Sequence, residues 1–125
     1  MPKIIAVIDN EEAIRRTLKK ILELQIQDCV IHTFDSGEAL LVAMENNGFR
    51  ANMYLIDNNM GTEPMHGPDA AKLVVKLHPD AVIIGCTADS DDQTTARFLR
   101  NGAAAVVHKP FTIAELTGTV LKYLK

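Results

Sequence analysis

The sequence predicts an α/β fold: one five-stranded parallel sheet with helices packed on both faces. Five short apolar runs recur along the 125 residues, most of them near-continuous rather than alternating, as expected for strands covered on both sides. Helical patterns separate the runs, so strand and helix alternate five times, which implies a parallel sheet with right-handed crossovers. Apolar residues make up 47% of the chain while aromatics are only 5% and Trp is absent, so the interior must be aliphatic.

The first strand is KIIAVI, residues 3 to 8. The helix after it, Glu11 to Leu24, places Ile14, Leu18, Ile21 and Leu22 at i, i+4, i+7 and i+8, with Arg15, Arg16, Lys19 and Lys20 elsewhere on the wheel. CVIHTF (29 to 34) is the second strand, and Ala39, Leu40, Ala43 and Met44 mark a helix over 37 to 46. NMYLI (52 to 56) precedes a helix over 67 to 77, carried by Ala71, Val74 and Val75. AVIIGC (81 to 86) is followed by a helix over 91 to 101, with a capping-box signature in Ser90 and Gln93 and a C′ stop at Gly102. The last pair is AAAVVH (103 to 108) and a helix over 113 to 124, with Thr112 and Glu115 as its capping box and Ile113, Leu116, Val120 and Leu124 as its stripe. Repeats, low-complexity tracts and linkers are absent, and the expectation is one domain over 1 to 125.

Composition excludes several classes of function. The net charge is −3, with 13 Lys and Arg against 16 Asp and Glu, and neither a basic stripe nor a cationic run offers a footprint for nucleic acid or anionic lipid. Cys29 and Cys86 lie far apart within apolar runs, as small core residues do; no disulfide framework or zinc spacing is present. The N-terminal apolar run is too short for a signal segment, and nothing approaches a membrane span. A soluble protein in the reducing cytoplasm is the expectation.

Functional groups in such sheets collect at the carboxyl ends of the strands. Read in order, these ends offer Asp9, Asn10 and Glu11, then Asp57 and Asn59, then Thr87, then Lys109. A carboxylate such as Asp57 is a nucleophile towards phosphorus and forms an acyl phosphate. Asp9, Asp57 and a backbone carbonyl suit Mg²⁺, which prefers oxygen ligands and retains waters. Lys109 is a compact positive charge for a second phosphoryl oxygen, and the Thr87 hydroxyl is a donor for a third. Catalysis would then be positioning plus charge stabilisation.

The motifs IDNEEAIR (8 to 15), LIDNNM (55 to 60), GCTA (85 to 88) and HKPF (108 to 111), in this order at these strand ends, resemble those of the receiver domains of two-component response regulators. The resemblance covers essentially the whole chain and implies a (βα)5 flavodoxin-like, doubly wound fold with strand order 2-1-3-4-5. It implies that Asp57 is the phosphoacceptor, that Asp9 and the Asn59 backbone carbonyl bind Mg²⁺, and that Thr87, Ala88 and Lys109 hold the phosphoryl group. It further implies a cis bond between Lys109 and Pro110, the kind of bond only proline makes cheap. Its partners would be a histidine kinase or phosphotransfer protein and an output domain or target engaging helix 4, strand 5 and helix 5.

Three departures from the family pattern stand out. Asn10 replaces the second Asp after strand 1; its amide still offers an oxygen, so Asn10 stays a candidate metal ligand, but with one charge fewer a weaker hold on Mg²⁺ is expected. The loop after Asp57 is two residues longer, with Gly61 where a Pro normally follows the Met, and His66 just before Gly67. Val106 stands where an aromatic ring usually reports movement of the Thr, so Thr87, Val106 and His108 are the switch candidates, His108 sharing a strand face with Val106.

Blander readings accompany these roles. Asp57 is also read as a helix cap, Asn10 as a cap of helix 1, Thr87 as a turn residue and Lys109 as a solvated loop charge. His32 and His78 are read as structural or surface residues, and Met44, Met53, Met60 and Met65 as packing. The competing functions are a degenerate receiver that binds partners without phosphorylation, and a phosphohydrolase of the haloacid dehalogenase type. That enzyme class needs a proton-shuttling carboxylate where this chain has Asn59. A flavodoxin would need a phosphate loop after strand 1, which is missing.

Overall fold

The computed structural model describes residues 1–88 and 92–124. The elements run β1 (Lys3–Ile8), α1 (Glu12–Gln25), β2 (Cys29–Phe34), α2 (Gly37–Asn47), β3 (Met53–Asp57), α3 (Gly67–Leu77), β4 (Ile83–Thr87), α4 (Asp92–Arg100), β5 (Ala105–His108) and α5 (Ile113–Tyr123). The strands form one sheet in the order β2-β1-β3-β4-β5 and all pair in parallel. This is the doubly wound order expected above.

Alternation along each strand sorts the core into two layers. Ala6, Ile8, Tyr54 and Ile56 point to one face, where Leu40 and Met44 of α2, Ala71 and Val74 of α3 and Phe98 of α4 cover them. Ile5, Val7, Leu55 and Ile84 point to the other, against Leu18 and Leu22 of α1 and Leu116 and Val120 of α5. Both layers are apolar, which is why the strands read as continuous runs.

The boundaries shift where backbone donors find partners outside the sheet. The fourth and fifth strands begin two residues later than their apolar runs, because the Ala81 and Ala103 N–H groups donate to His78 and Phe98 carbonyls at the preceding helix ends. Asp57 and Thr87 lie inside β3 and β4, paired in register with Cys86 and His108. Neither is a cap or turn residue. The cap of α1 is Glu11 rather than Asn10, and it makes no side-chain capping bond.

The Thr112 and Glu115 capping box forms in full. Ser36 caps α2 by accepting from the Ala39 N–H at 3.0 Å, a cap the hydrophobic pattern did not reveal. Ser90 lies outside the described residues. Gly102 follows α4 with φ +110, a conformation that L side chains rarely adopt, and thereby ends the helix as expected. Ile113 leaves the predicted α5 stripe: at the first turn it is 52% exposed, while Leu116 and Val120 are fully buried. Met44, Met53 and Met60 are core residues. His78 shares a 3.0 Å hydrogen bond with the buried Tyr54 hydroxyl, and His32 meets Phe49 edge-on.

Candidate functional site

The parallel order places the ends of β1, β3, β4 and β5 side by side, with β1 next to β3 and β4 between β3 and β5. Asp9 follows β1, Asp57 ends β3, Thr87 ends β4 and Lys109 follows β5. Their side chains converge. The Lys109 ammonium donates to Asp57 Oδ1 at 2.7 Å and to Asp9 Oδ2 at 3.2 Å. The second oxygen of Asp9 accepts from the Glu11 N–H at 2.9 Å, and Asp9 is 2% exposed. Lys109 is held in turn by its own N–H, which donates to the Thr87 carbonyl at 2.7 Å, and the Lys109–Pro110 peptide is cis.

Above this cluster opens a cleft of about 500 Å³ lined by Asn10, Glu11, Asp57, Asn58, Asn59, Gly61, Thr87, Ala88 and Lys109. Every residue proposed from sequence to hold the phosphoryl group thus lies at one place. Asp9 forms the buried floor and its carboxylate reaches the cleft through Lys109 rather than by lining it. Val106 and His108 lie apart: Val106 packs against the core of the α2, α3 and α4 layer, while His108 is exposed and shares a 3.1 Å hydrogen bond with Thr95 of α4.

Burial sets the electrostatics. It pushes the Asp57 carboxyl above its ordinary value, aided by the neighbouring Asp9 charge and opposed by the Lys109 hydrogen bond. Burial also pulls on Lys109 in the discharging direction, but Asp57 and Asp9 together outweigh it and hold the ammonium above the usual lysine value. Cys86, beside Asp57 in register, is buried and its thiol is pushed up to about 12, so it remains a neutral core group.

The donor set suits a hard cation. Among the described residues no three His, Cys, Asp or Glu side chains gather as a metal cluster. Two carboxylates with amide and backbone oxygens nevertheless match Mg²⁺, which takes one or two carboxylates and keeps several waters. The residues that fit are Asp9, Asp57, Asn10 and Asn59.

Two contacts escaped the sequence reading. Arg15, placed off the apolar stripe of α1, turns back to donate from Nη1 to the Asp9 carbonyl at 2.7 Å. Gly61 lies against Asn10, so that a Cβ built on it would stand 2.7 Å from Asn10 Nδ2. The loop between β3 and α3 is itself tied down: the Gly61 N–H donates to Asn59 Oδ1 at 2.8 Å, and the Met60 N–H to His66 Nδ1 at 3.2 Å. His66 is therefore a loop staple.

The family model described as the response regulator receiver domain matches residues 5–121. The chain belongs to that family. This receiver domain is 29% identical over 121 residues to the transcriptional regulatory protein YvrH of Bacillus subtilis, covering 97% of the chain and 48% of the relative. It is 25% identical to the sensor kinase CckA of Brucella abortus, covering 12% of that protein. The chain thus spans half or less of the curated relatives it matches. Among solved structures, a CheY-like receiver domain protein from Methanospirillum hungatei superposes with a TM-score of 0.85 at 25% identity, over 99% of this chain and 94% of that one. The BeF3-activated DrrB receiver domain gives 0.84 at 25%, over 99% and 98%. For the described residues of this receiver domain, no helix is long and apolar enough to cross a membrane.

Proposed function

We propose that this receiver domain accepts a phosphoryl group on Asp57 from a phosphohistidine of a histidine kinase or phosphotransfer protein. The observation that carries the reading is the Lys109 ammonium, 2.7 Å from Asp57 Oδ1 in a cleft also lined by Thr87 and Ala88. An Asp57 oxygen attacks phosphorus, the donor's P–N bond breaks, and its electron pair leaves on the imidazole nitrogen, which takes up a proton. Lys109, already bound to Asp57, offsets the charge gained there, and the Thr87 hydroxyl and Ala88 receive the phosphoryl oxygens. Mg²⁺ held by Asp9, Asp57, Asn59 and Asn10 would neutralise further phosphoryl charge when bound. The product is a stoichiometric acyl phosphate, without multiple turnover.

The consequence is a change in partner affinity. Thr87 and His108 are register partners across β4 and β5, and His108 is bonded to Thr95, so movement at Thr87 has a route to α4. That route favours an output domain or target protein on the α4, β5 and α5 surface, with Val106 as a packed neighbour rather than a moving ring. No direct contact with nucleic acid or membrane is part of the reading. Two free cysteines, one buried, suit a reducing cytoplasm.

Intact-mass measurement after acetyl phosphate and Mg²⁺ tests the assignment. One phosphoryl mass should be gained by the wild type and none by Asp57→Ala; a gain surviving that substitution would overturn it. Asn10 favours a second reading, a phosphorylation-independent interaction module, because it puts an uncharged amide in the cleft where the family pattern has a second acidic residue. An NMR titration showing no Mg²⁺-dependent shifts around Asp57, with no mass gain, would select it.

A further inference from the structure

Two departures from the family pattern, far apart in sequence, lie against each other in the structure. Asn10 replaces an acidic residue and Gly61 replaces a proline, and a Cβ on Gly61 would lie 2.7 Å from Asn10 Nδ2 and 3.8 Å from its Cγ. The Asn10 amide oxygen is not among the atoms within 4 Å of that point. The nitrogen end of the amide therefore faces the loop, and the oxygen is on the opposite branch of the same planar group.

We propose that Gly61 is the positioning residue for Asn10: lacking a side chain, it lets the loop after β3 close on the nitrogen end of the amide and leaves the oxygen end for a cation in the cleft. The inference rests on the Mg²⁺ reading above and deepens it. The two ends of an amide are chemically opposite, because the oxygen accepts and ligates while the NH₂ group only donates. A carboxylate at residue 10 has two equivalent oxygens and needs no such orientation, whereas an asparagine does. The longer loop supplies the contact: the Gly61 N–H bond to Asn59 Oδ1 and the Met60 bond to His66 fix its course. Gly61 has φ +67, so backbone and side-chain requirements both select glycine here.

The two effects separate experimentally, because Gly48 also has φ +67 but a Cβ there would meet nothing within 4 Å. Mg²⁺ affinity would be measured by amide shift titration for the wild-type domain, Gly61→Ala, Gly48→Ala, Asn10→Asp, and Asn10→Asp with Gly61→Ala. The Asn10 side-chain NH₂ resonances would be followed without metal. Displacing a group that orients a ligand costs about tenfold in metal affinity, and this is the loss expected for Gly61→Ala. In the Asn10→Asp background the same change should cost less than about twofold, a difference between backgrounds that exceeds the scatter of independent sites and marks coupling between residues 10 and 61. Gly48→Ala should leave affinity unchanged, and Gly61→Ala should move the Asn10 NH₂ resonances.

Equal losses from Gly61→Ala in both backgrounds would overturn the inference, since they would trace to the loop or to Asn59. So would unmoved Asn10 NH₂ resonances. If Gly61→Ala does not give a dispersed spectrum, Gly61→Asn, which tolerates the left-handed conformation, takes its place with the same expectations. Absence of any Mg²⁺ response in the wild type would instead overturn the underlying metal reading. That outcome is distinct from binding that ignores residue 61.

Discussion

Asp57, the proposed nucleophile, combines a place at the edge of the cleft with a core residue's environment. At 7% exposure it carries its charge where burial opposes it, beside the like charge of Asp9. A carboxylate whose folded pKa lies above its unfolded value favours the folded state at acid pH, below the unfolded pKa, and that contribution is lost as pH rises through the folded pKa. Asp57→Asn, which stays neutral, is therefore expected to stabilise the domain at neutral pH by roughly 0.5–2 kcal/mol, the usual trade between site strain and stability. The gain should disappear below the ordinary carboxylate pKa; urea melts of both proteins across that range check it. Lys109 has the complementary dependence: its raised pKa contributes stability at neutral pH that is lost only as pH climbs through the folded lysine value. Asp9, Asp57, Thr87 and Lys109 were legible in the sequence as one cluster because residue type and strand-end position together mark the groups that a parallel sheet brings to one edge. The bond of Arg15 to the Asp9 carbonyl and the contact of Gly61 with Asn10 were not, because one residue reaches back from a helix and the other matters through an absent atom.

Helices position the site through their ends and seats. α5 begins directly after the Lys109–Pro110 segment, and its first turn is held by the reciprocal Thr112 and Glu115 bonds. Thr112→Ala should cost about 1 kcal/mol in a urea denaturation series, the typical loss for an N-cap. Periodicity located every helix because each buries one stripe, but it misplaced Ile113, since a first-turn residue need not face the sheet. Strand starts were overextended for a different reason. Ala81 and Ala103 are as apolar as their neighbours, yet their N–H groups complete helix ends instead of the ladder. Hydrophobicity alone does not say which carbonyl an N–H will choose.

Across the whole molecule the sheet has two unlike rims. One carries the charged cleft. Nearer the other, the buried Tyr54 hydroxyl accepts from the Ala51 N–H at 3.0 Å and bonds His78, while Arg50 donates to the Met44, Phe49 and Leu77 carbonyls. Tyr54→Phe leaves the Ala51 donor without its partner and should cost roughly 1–3 kcal/mol. Phosphoryl uptake from acetyl phosphate, read by intact mass, should stay stoichiometric in that variant at temperatures where it is folded. Alternating strands and helices made the layered architecture legible, because strands covered on both faces need continuous apolar runs. The order of the strands came through the motif resemblance, since periodicity does not record which strand lies beside which.

The bond from Lys109 to Asp9 joins residues 100 positions apart, across nearly the entire chain. A polypeptide emerging from the ribosome presents Asp9 and Asp57 long before their shared cation exists. The cluster therefore stays incomplete until Lys109 has been made, and a nascent chain that has reached only β4 holds two like charges without the cation that joins them.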